Sequence, residues 1–169
     1  MSKPPLPSGA IEMLTHPNPC VIATLRSDGT PVATPTWYLW EDGRVLVNMD
    51  EGRRRLAHVR RDPRVTLSVM DEQSWYTHVS LIGHVVDIRD DTGLTDIDRL
   101  SRHYTGKPYP VRDRGRVSAW IEIDRWHGWG EMTGQTRDAL VDAVAGTAGR
   151  VAVFVEPGTP EGFARIRRA

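Results

Sequence analysis

The chain is poor in cysteine and lysine and has no long apolar run. It has 169 residues but a single cysteine, Cys20, so it forms neither an internal disulfide nor a cysteine-rich metal cluster. No apolar run is long enough for a transmembrane helix, and the first ten residues have no apolar stretch of the kind found in secretory signals. We therefore expect a cytoplasmic protein that does not bind membranes.

The charge composition is balanced in sign but not in residue type. The 22 basic and 22 acidic residues give no formal net charge, which argues against a general nucleic-acid-binding protein. Lys3 and Lys107 are the only lysines, so nearly all of the positive charge is arginine. We expect any anion site in this chain to be built from guanidinium groups. The sequence motifs of P-loops, nucleophile elbows and dinucleotide-binding glycine turns are missing.

The first part of the chain predicts a short helix and three strands joined by tight turns. The helix covers residues 8–14, and the strands cover residues 20–25, 32–40 and 45–47. An Asp-Gly pair stands in each connection between strands, which favours tight hairpin turns. We expect these three strands to form an antiparallel meander.

The second part of the chain predicts two more helices and three more strands. Helical spacing of apolar residues marks residues 51–61 and 92–104, and strand patterns mark residues 64–70, 75–88 and 117–126. The sum is about six strands, mostly antiparallel, with two or three helices. A closed or nearly closed barrel would remove the exposed edges of such a sheet.

The end of the chain differs in composition from the rest. We expect one domain over residues 1–130 and a C-terminal extension of unknown role over residues 131–169. Within the extension, residues 135–145 are a predicted helix and residues 151–155 a predicted strand.

Three consecutive arginines, Arg53, Arg54 and Arg55, stand at the start of the predicted helix 51–61. The peptide dipoles already give that end a partial positive charge, so each unbalanced cation there costs about 0.3–1 kcal/mol. A bound phosphate would reverse this effect, because helix N–H groups and guanidinium groups both favour an anion. The alternative is a solvated arginine cluster balanced by Asp50 and Glu51, which is the more common explanation for a run of charges.

The order of these elements, and several short motifs along the chain, resemble the pyridoxamine-phosphate-oxidase-like split β-barrel family. The motifs are Thr-Pro-Thr-Trp-Tyr at 34–38, Gly-Arg-Arg-Arg at 52–55, Arg-Arg-Asp-Pro-Arg-Val at 60–65, Arg-His-Tyr-Thr-Gly at 102–106 and Arg-Trp-His-Gly-Trp at 125–129. Within the family, the chain is most similar to the branch that uses the deazaflavin coenzyme F420. The resemblance covers about residues 10–129. It implies a mainly β fold with a few helices, a split β-barrel of the FMN-binding type.

The resemblance also implies a cofactor site. Basic residues at the start of the short helix would bind the cofactor phosphate, and they correspond to Arg53 and Arg55, with Arg54 beside them. A family asparagine on the same helix is His58 in this chain. The ring would lie against Thr34, Pro35, Thr36 and Trp37, and the ribityl chain against Val47, Asn48 and Met49. Family members are homodimers with cofactor sites at the subunit interface, where the second subunit would contribute residues near Trp75 and His78.

The function implied by the resemblance is an F420-dependent oxidoreductase. Such an enzyme transfers a hydride between the reduced deazaflavin and a small conjugated organic substrate. Two alternatives remain open, namely an FMN-binding oxidase or reductase of the same fold and a carrier that holds a flavin, deazaflavin or heme without turnover.

No metal site is predicted, although His78 and His84 share one face of a strand, which is a weak heme signal. No catalytic residue is assigned; Tyr38, His78 or a water molecule could supply a proton.

Overall fold

A computed structural model describes residues 1–130 of the chain. The predicted helix at 135–145 and strand at 151–155 lie outside the described residues. In chain order the helices and strands are α1 (Ser8–Thr15), β1 (Cys20–Leu25), β2 (Pro31–Pro35), β3 (Leu39–Glu41), β4 (Arg44–Asp50), α2 (Arg54–Arg61), β5 (Arg64–Met70), β6 (His78–Asp90), α3 (Thr95–Thr105) and β7 (Arg116–Trp129). A single 3₁₀ turn, Thr92–Leu94, leads into α3.

The strands form one seven-stranded sheet in the order β2-β1-β5-β6-β7-β4-β3. Every pair of neighbours in that order is antiparallel. The two long strands β6 and β7, of 13 and 14 residues, form the middle of the sheet. The prediction of a mainly β, mostly antiparallel split barrel with a few helices is confirmed.

The predicted meander is wrong, because residues 32–40 do not form one strand. The chain leaves the sheet after Pro35 and joins it again at Leu39, as β3 on β4. In between, Thr36 donates its backbone N–H to the Cys20 carbonyl, and the buried Tyr38 side chain donates to the His16 carbonyl. These contacts to earlier parts of the chain divide the segment, so β2 and β3 lie at opposite ends of the strand order.

Helix α2 and strand β6 begin later than predicted, because a turn occupies the first residues of each predicted range. Helix α2 begins at Arg54 rather than at residue 51, because residues 51–53 form a turn closed by the Arg53 N–H and the Asp50 carbonyl. Strand β6 begins at His78 rather than at residue 75, because a turn closed by Thr77 and Ser74 precedes it. Strand β5 has the predicted bounds.

The core lies between the sheet and the helices that cover it. Its largest fully buried side chains come from several strands and from α1, α2 and α3, and they include Leu14, Ile22, Leu46, Leu56, Leu67, Leu81, Leu100 and Ile121. Helix α2 buries Leu56 and Val59 and contacts β1. This packing fixes the N-terminal end of α2, with its arginines, beside the edge of the sheet formed by β1 and β2.

Backbone of the neighbouring strand approaches Gly83 closely, at the point where the pairing of β6 with β7 shifts register. A Cβ atom at this position would lie 2.0 Å from the carbonyl oxygen of Glu122. Since the obstacle is backbone rather than a side chain, it cannot move aside without disturbing the strand pair.

We predict that Gly83→Ala lowers the free energy of unfolding by about 1–3 kcal/mol, the usual cost of forcing extra volume into a packed site. Urea unfolding monitored by tryptophan fluorescence measures it. Gly52→Ala is the matched control, because no atom lies within 4 Å of a Cβ at Gly52. Equal stability of the two variants would contradict the prediction.

Candidate functional site

A cleft of about 1180 Å³ opens beside the N-terminal end of α2. Its walls come from β1, β2, the end of β4, the start of α2, one face of α3 and the connection between α3 and β7. Strand β2 is at the end of the strand order and pairs with β1 alone among the described strands. One side of its backbone therefore has no sheet partner within residues 1–130.

The structure brings ten of the thirteen predicted cofactor-site residues to this cleft. They are Thr34, Pro35, Thr36, Trp37, Asn48, Met49, Arg53, Arg54, Arg55 and His58. The other three lie elsewhere. Val47 is 1% exposed and belongs to the core, and Trp75 is 77% exposed in the turn between β5 and β6. His78 begins β6, and its Nδ1 lies 3.0 Å from the Tyr76 carbonyl oxygen.

Asp50 binds two of the arginines that line the cleft. Its Oδ2 accepts from Arg53 Nε at 3.0 Å, and its Oδ1 accepts from Arg116 Nη1 at 2.7 Å. Burial raises the pKa of Asp50, but the hydrogen bonds and charges of Arg53 and Arg116 together hold it below its ordinary value. Asp50 is therefore ionised, and its single negative charge is shared between these two cations.

Arg55 has no such partner. Its side chain is half-buried and its Nη2 lies 3.3 Å from Thr36 Oγ1, while no carboxylate within residues 1–130 is at ion-pair distance from it. Burial lowers the pKa of Arg55, and the nearby positive charge of Arg53 lowers it further. Both effects mean that the charged guanidinium is poorly compensated, so an anion in the cleft would stabilise it.

The start of α2 adds backbone donors to this positive charge. Arg53 occupies the N-cap position without a side-chain cap, and the first turn of the helix holds no acidic residue. Within the described chain, the backbone N–H groups of Arg54 and Arg55 have no hydrogen-bond acceptor. Free N–H groups, the helix dipole and a guanidinium are the features that bind phosphate in proteins.

His58 and Cys20 line the cleft close to this end of α2. His58 Nδ1 lies 3.0 Å from Thr24 Oγ1, which fixes the imidazole against β1. Burial raises the pKa of Cys20 to about 12, against the opposing effect of the Arg55 charge. The thiol is thus protonated near neutral pH, which argues against a nucleophilic role.

Aromatic rings form the wall of the cleft near α3. The Trp37 ring stacks on Tyr104 with a centroid distance of 5.3 Å and an interplanar angle of 14°. Tyr109 meets Trp37 edge-on at 6.4 Å. A wall of this kind suits a flat, partly apolar ligand.

Arg116 and Tyr109 line the cleft but were not predicted as site residues from the sequence. Arg116 is only 8% exposed; its Nε donates to Asn48 Oδ1 at 2.7 Å, and its guanidinium lies over the Tyr109 ring at 4.7 Å. The only local signal is an arginine directly before an apolar strand, in a connection that already holds Arg112 and Arg114. That pattern is common on protein surfaces, so it does not predict a buried arginine.

The side chains considered as proton sources do not line the cleft. Tyr38 is fully buried, its hydroxyl donates to the His16 carbonyl oxygen at 3.0 Å, and burial raises its pKa well above the ordinary value. His78 and His84 both make hydrogen bonds within the protein, His84 with Asp124 Oδ2 at 3.0 Å.

Within residues 1–130, no three His, Cys, Asp or Glu side chains converge as metal ligands would. Of the helices in the same range, none has the length and apolar character needed to cross a membrane.

Comparison with solved structures finds the same fold. A protein described as an F420 reductase is 25% identical, with a TM-score of 0.67 over 72% of this chain and 98% of its own. A conserved protein from Mycobacterium tuberculosis is 23% identical, with a TM-score of 0.60 over 81% and 93% of the two chains. General stress protein 26 from Bacillus anthracis strain Sterne is 16% identical, with a TM-score of 0.56 over 72% and 91%. The last two likenesses show the fold alone.

No curated protein matches the sequence. The family model of pyridoxamine 5'-phosphate oxidase matches residues 10–130, a range that takes in all seven strands and the whole lining of the cleft. The chain belongs to the pyridoxamine 5'-phosphate oxidase family.

Proposed function

We propose that this protein is an oxidoreductase that binds a phosphate-bearing deazaflavin, coenzyme F420, in the cleft and reduces a small conjugated organic substrate. The observation that carries the proposal is Arg55, a half-buried cation that lines the cleft beside free helix N–H groups and has no carboxylate partner within residues 1–130. A cofactor phosphate at this point would supply the missing negative charge.

The arginines that line the cleft differ in whether a carboxylate binds them. Asp50 holds Arg53 and Arg116 in place and cancels one of their two positive charges. Among residues 1–130, Arg55 has Thr36 as its hydrogen-bond partner and no carboxylate partner, so its charge is not cancelled there. We therefore expect Arg55 to contribute more to phosphate affinity than Arg53.

The ring of the cofactor fits the part of the cleft between β2 and the aromatic wall. The backbone of β2, unpaired on one side, offers N–H and C=O groups to the polar edge of a flavin-type ring. Trp37 and Tyr104 offer apolar surface on the α3 side. When bound and reduced, the deazaflavin supplies a hydride, and the protein orients the ring and excludes water from one of its faces.

The likeness to an F420 reductase, at 25% identity over nearly the whole of that protein, supports F420 rather than FMN. FMN shares the phosphate and a similar ring, so the same residues would hold it. A carrier that binds either cofactor without turnover would use the same contacts as well. These alternatives differ in measurable affinity and in turnover, and the second experiment below separates them.

We also propose that the protein is a homodimer in which the cofactor site is completed by the second subunit. Trp75 is 77% exposed in the turn before β6, and Ile82 and Val86 are exposed along β6. A second subunit packed on this face of β6 would cover these apolar side chains.

We predict that Arg55→Ala weakens FMN and F420 binding by about tenfold to a hundredfold, the range expected when one charge-assisted hydrogen bond to phosphate is lost. Fluorescence titration gives the dissociation constants. Riboflavin and the phosphate-free deazaflavin chromophore, which lack the anion, should lose little affinity.

Arg60→Ala is the matched control, because Arg60 is an exposed arginine of the same helix that does not line the cleft. Its effect on FMN and F420 affinity should be small. If Arg55→Ala binds FMN and F420 as tightly as the wild type, the phosphate site has been placed wrongly.

We predict that the wild-type protein binds F420 more tightly than FMN and that it oxidises reduced F420 when conjugated enones are added. Titration ranks the two affinities, and the return of the oxidised deazaflavin absorbance measures turnover. Tighter binding of FMN would favour the FMN enzyme. Binding without turnover across a broad panel of enones and imines would favour a carrier.

We predict that sedimentation equilibrium gives twice the mass of one chain. Ile82→Lys, which places a charge on the exposed apolar face of β6, should shift the equilibrium toward the single chain and weaken F420 binding in parallel. A wild-type protein that sediments as a monomer at micromolar concentration while binding F420 would show that one subunit forms the whole site.

A further inference from the structure

Arg116 is a buried arginine whose guanidinium is only partly used by the protein. Its Nε donates to Asn48 Oδ1 at 2.7 Å, and its Nη1 donates to Asp50 Oδ1 at 2.7 Å and to the Tyr109 hydroxyl at 3.2 Å. Its Nη2 has no acceptor within residues 1–130, yet no fully enclosed side-chain nitrogen or oxygen in that range lacks a partner, so Nη2 is open to solvent. Since this side chain is 7% exposed and lines the cleft, the open side of Nη2 faces the cleft.

The charges near Arg116 favour an anion at this place. Asp50 shares its one negative charge between Arg53 and Arg116. Burial lowers the pKa of Arg55, and the positive charges of Arg53 and Arg116 are close enough to lower it further. Three of these four side chains are cations and one is an anion, so a phosphate in the cleft is attracted by Arg116 as well as by Arg55.

The Asn48 amide that holds Arg116 has its orientation fixed by the groups behind it. Asn48 Nδ2 donates to Asp91 Oδ2 at 3.0 Å and to Ser118 Oγ at 3.1 Å, so both of its hydrogens are used. Ser118 accepts this bond because its own proton is donated to Asp96 Oδ2 at 2.7 Å. A reversed amide would place its NH₂ group against the Arg116 Nε–H and its oxygen against the Asp91 carboxylate. The amide oxygen of Asn48 therefore faces Arg116.

Asp91, which directly follows β6, is held as firmly. It is 7% exposed, and its two oxygens accept the backbone N–H groups of Asp96 and Ile97 in the first turn of α3, both at 2.9 Å. With Asn48 Nδ2, the Asp91 carboxylate accepts three N–H donors. An amide of the same shape has one oxygen, and its NH₂ group would face at least one of these donors.

We propose that Arg116 Nη2 is a second guanidinium contact to the cofactor phosphate, and that Asp91 is the positioning residue that aims it through Asn48. This inference rests on the proposed function. Asp91 is not among the residues that line the cleft, so its side chain reaches a bound phosphate only through Asn48 and Arg116. A donor whose direction is fixed before binding loses little further freedom when the ligand arrives.

The test compares F420 and FMN with the phosphate-free deazaflavin chromophore and riboflavin, by fluorescence titration. Arg116→Gln should weaken binding of the phosphate-bearing forms by about tenfold to a hundredfold, the value of one charge-assisted hydrogen bond, and change the affinity of the phosphate-free forms little. Arg116→Lys keeps the charge but lacks the second nitrogen of the fork, so it should show the same selective loss in a smaller amount. The lysine variant serves as the test if the glutamine variant does not fold.

Asp91→Asn should cause a selective loss of about threefold to tenfold, because Arg116 is no longer held in one direction. The bond from the backbone N–H of residue 91 to the Arg116 carbonyl is kept in this variant. In an Arg116→Lys background, Asp91→Asn should have no further effect on F420 or FMN affinity, a result that a general loosening of α3 would not give. Asp71→Asn is the comparison variant, because the Asp71 carboxylate also accepts two backbone N–H groups but does not contact Asn48 or line the cleft.

Equal losses for the phosphate-bearing and phosphate-free forms, or an Asp91→Asn effect that persists in the Arg116→Lys background, overturn the inference. It is also overturned if Arg55→Ala weakens F420 and FMN binding selectively while Arg116→Gln does not, a result that leaves the proposed function intact. A wild-type protein that binds FMN and F420 no more tightly than their phosphate-free forms counts against the proposed function itself.

Discussion

The site depends on how one carboxylate, Asp50, is shared. It accepts hydrogen bonds from Arg53 on one oxygen and from Arg116 on the other, so one negative charge is shared between two of the cations around the cleft. In the described part of the chain, Arg55 is left with a hydroxyl partner, Thr36, and no carboxylate. Which arginines this carboxylate binds therefore decides where around the cleft the uncompensated positive charge lies.

The fold places the Asp50 carboxylate where hydrogen bonds connect several helices and strands. Asp50 ends β4 and is paired with Arg116 at the start of β7, so the antiparallel register itself sets the distance between the two side chains. Two residues earlier on the same strand, Asn48 accepts from Arg116 and donates to Asp91. Asp91 in turn accepts the first backbone N–H groups of α3. The end of β4 thus connects the arginines of α2, the buried Arg116 and the helix that carries the aromatic wall.

Much of this could be predicted from the sequence where the signals are local. The alternation of Val65, Leu67 and Val69 marked β5, and Leu56 with Val59 marked the buried face of α2. The break at residues 36–38 could not be predicted, because it comes from hydrogen bonds to distant carbonyl groups while the sequence itself reads as a continuous strand. The roles of Arg116 and Tyr109 were missed for the same reason, since their partners lie on β4 and α3. The arginine run and the family motifs pointed to the cleft, but a run of three arginines does not say which one is uncompensated.

Two segments of the chain, the start of α2 and the connection between α3 and β7, line different parts of the cleft. The start of α2 brings positive charge and backbone N–H groups to the cleft, and the connection between α3 and β7 brings the Tyr109 phenol, which accepts a hydrogen bond from Arg116. These two segments are far apart in sequence and are connected through Asp50, Asn48 and Arg116. A substitution at Asp50 would disturb both ends, because it frees Arg53 and Arg116 together and leaves a buried cation without its partner.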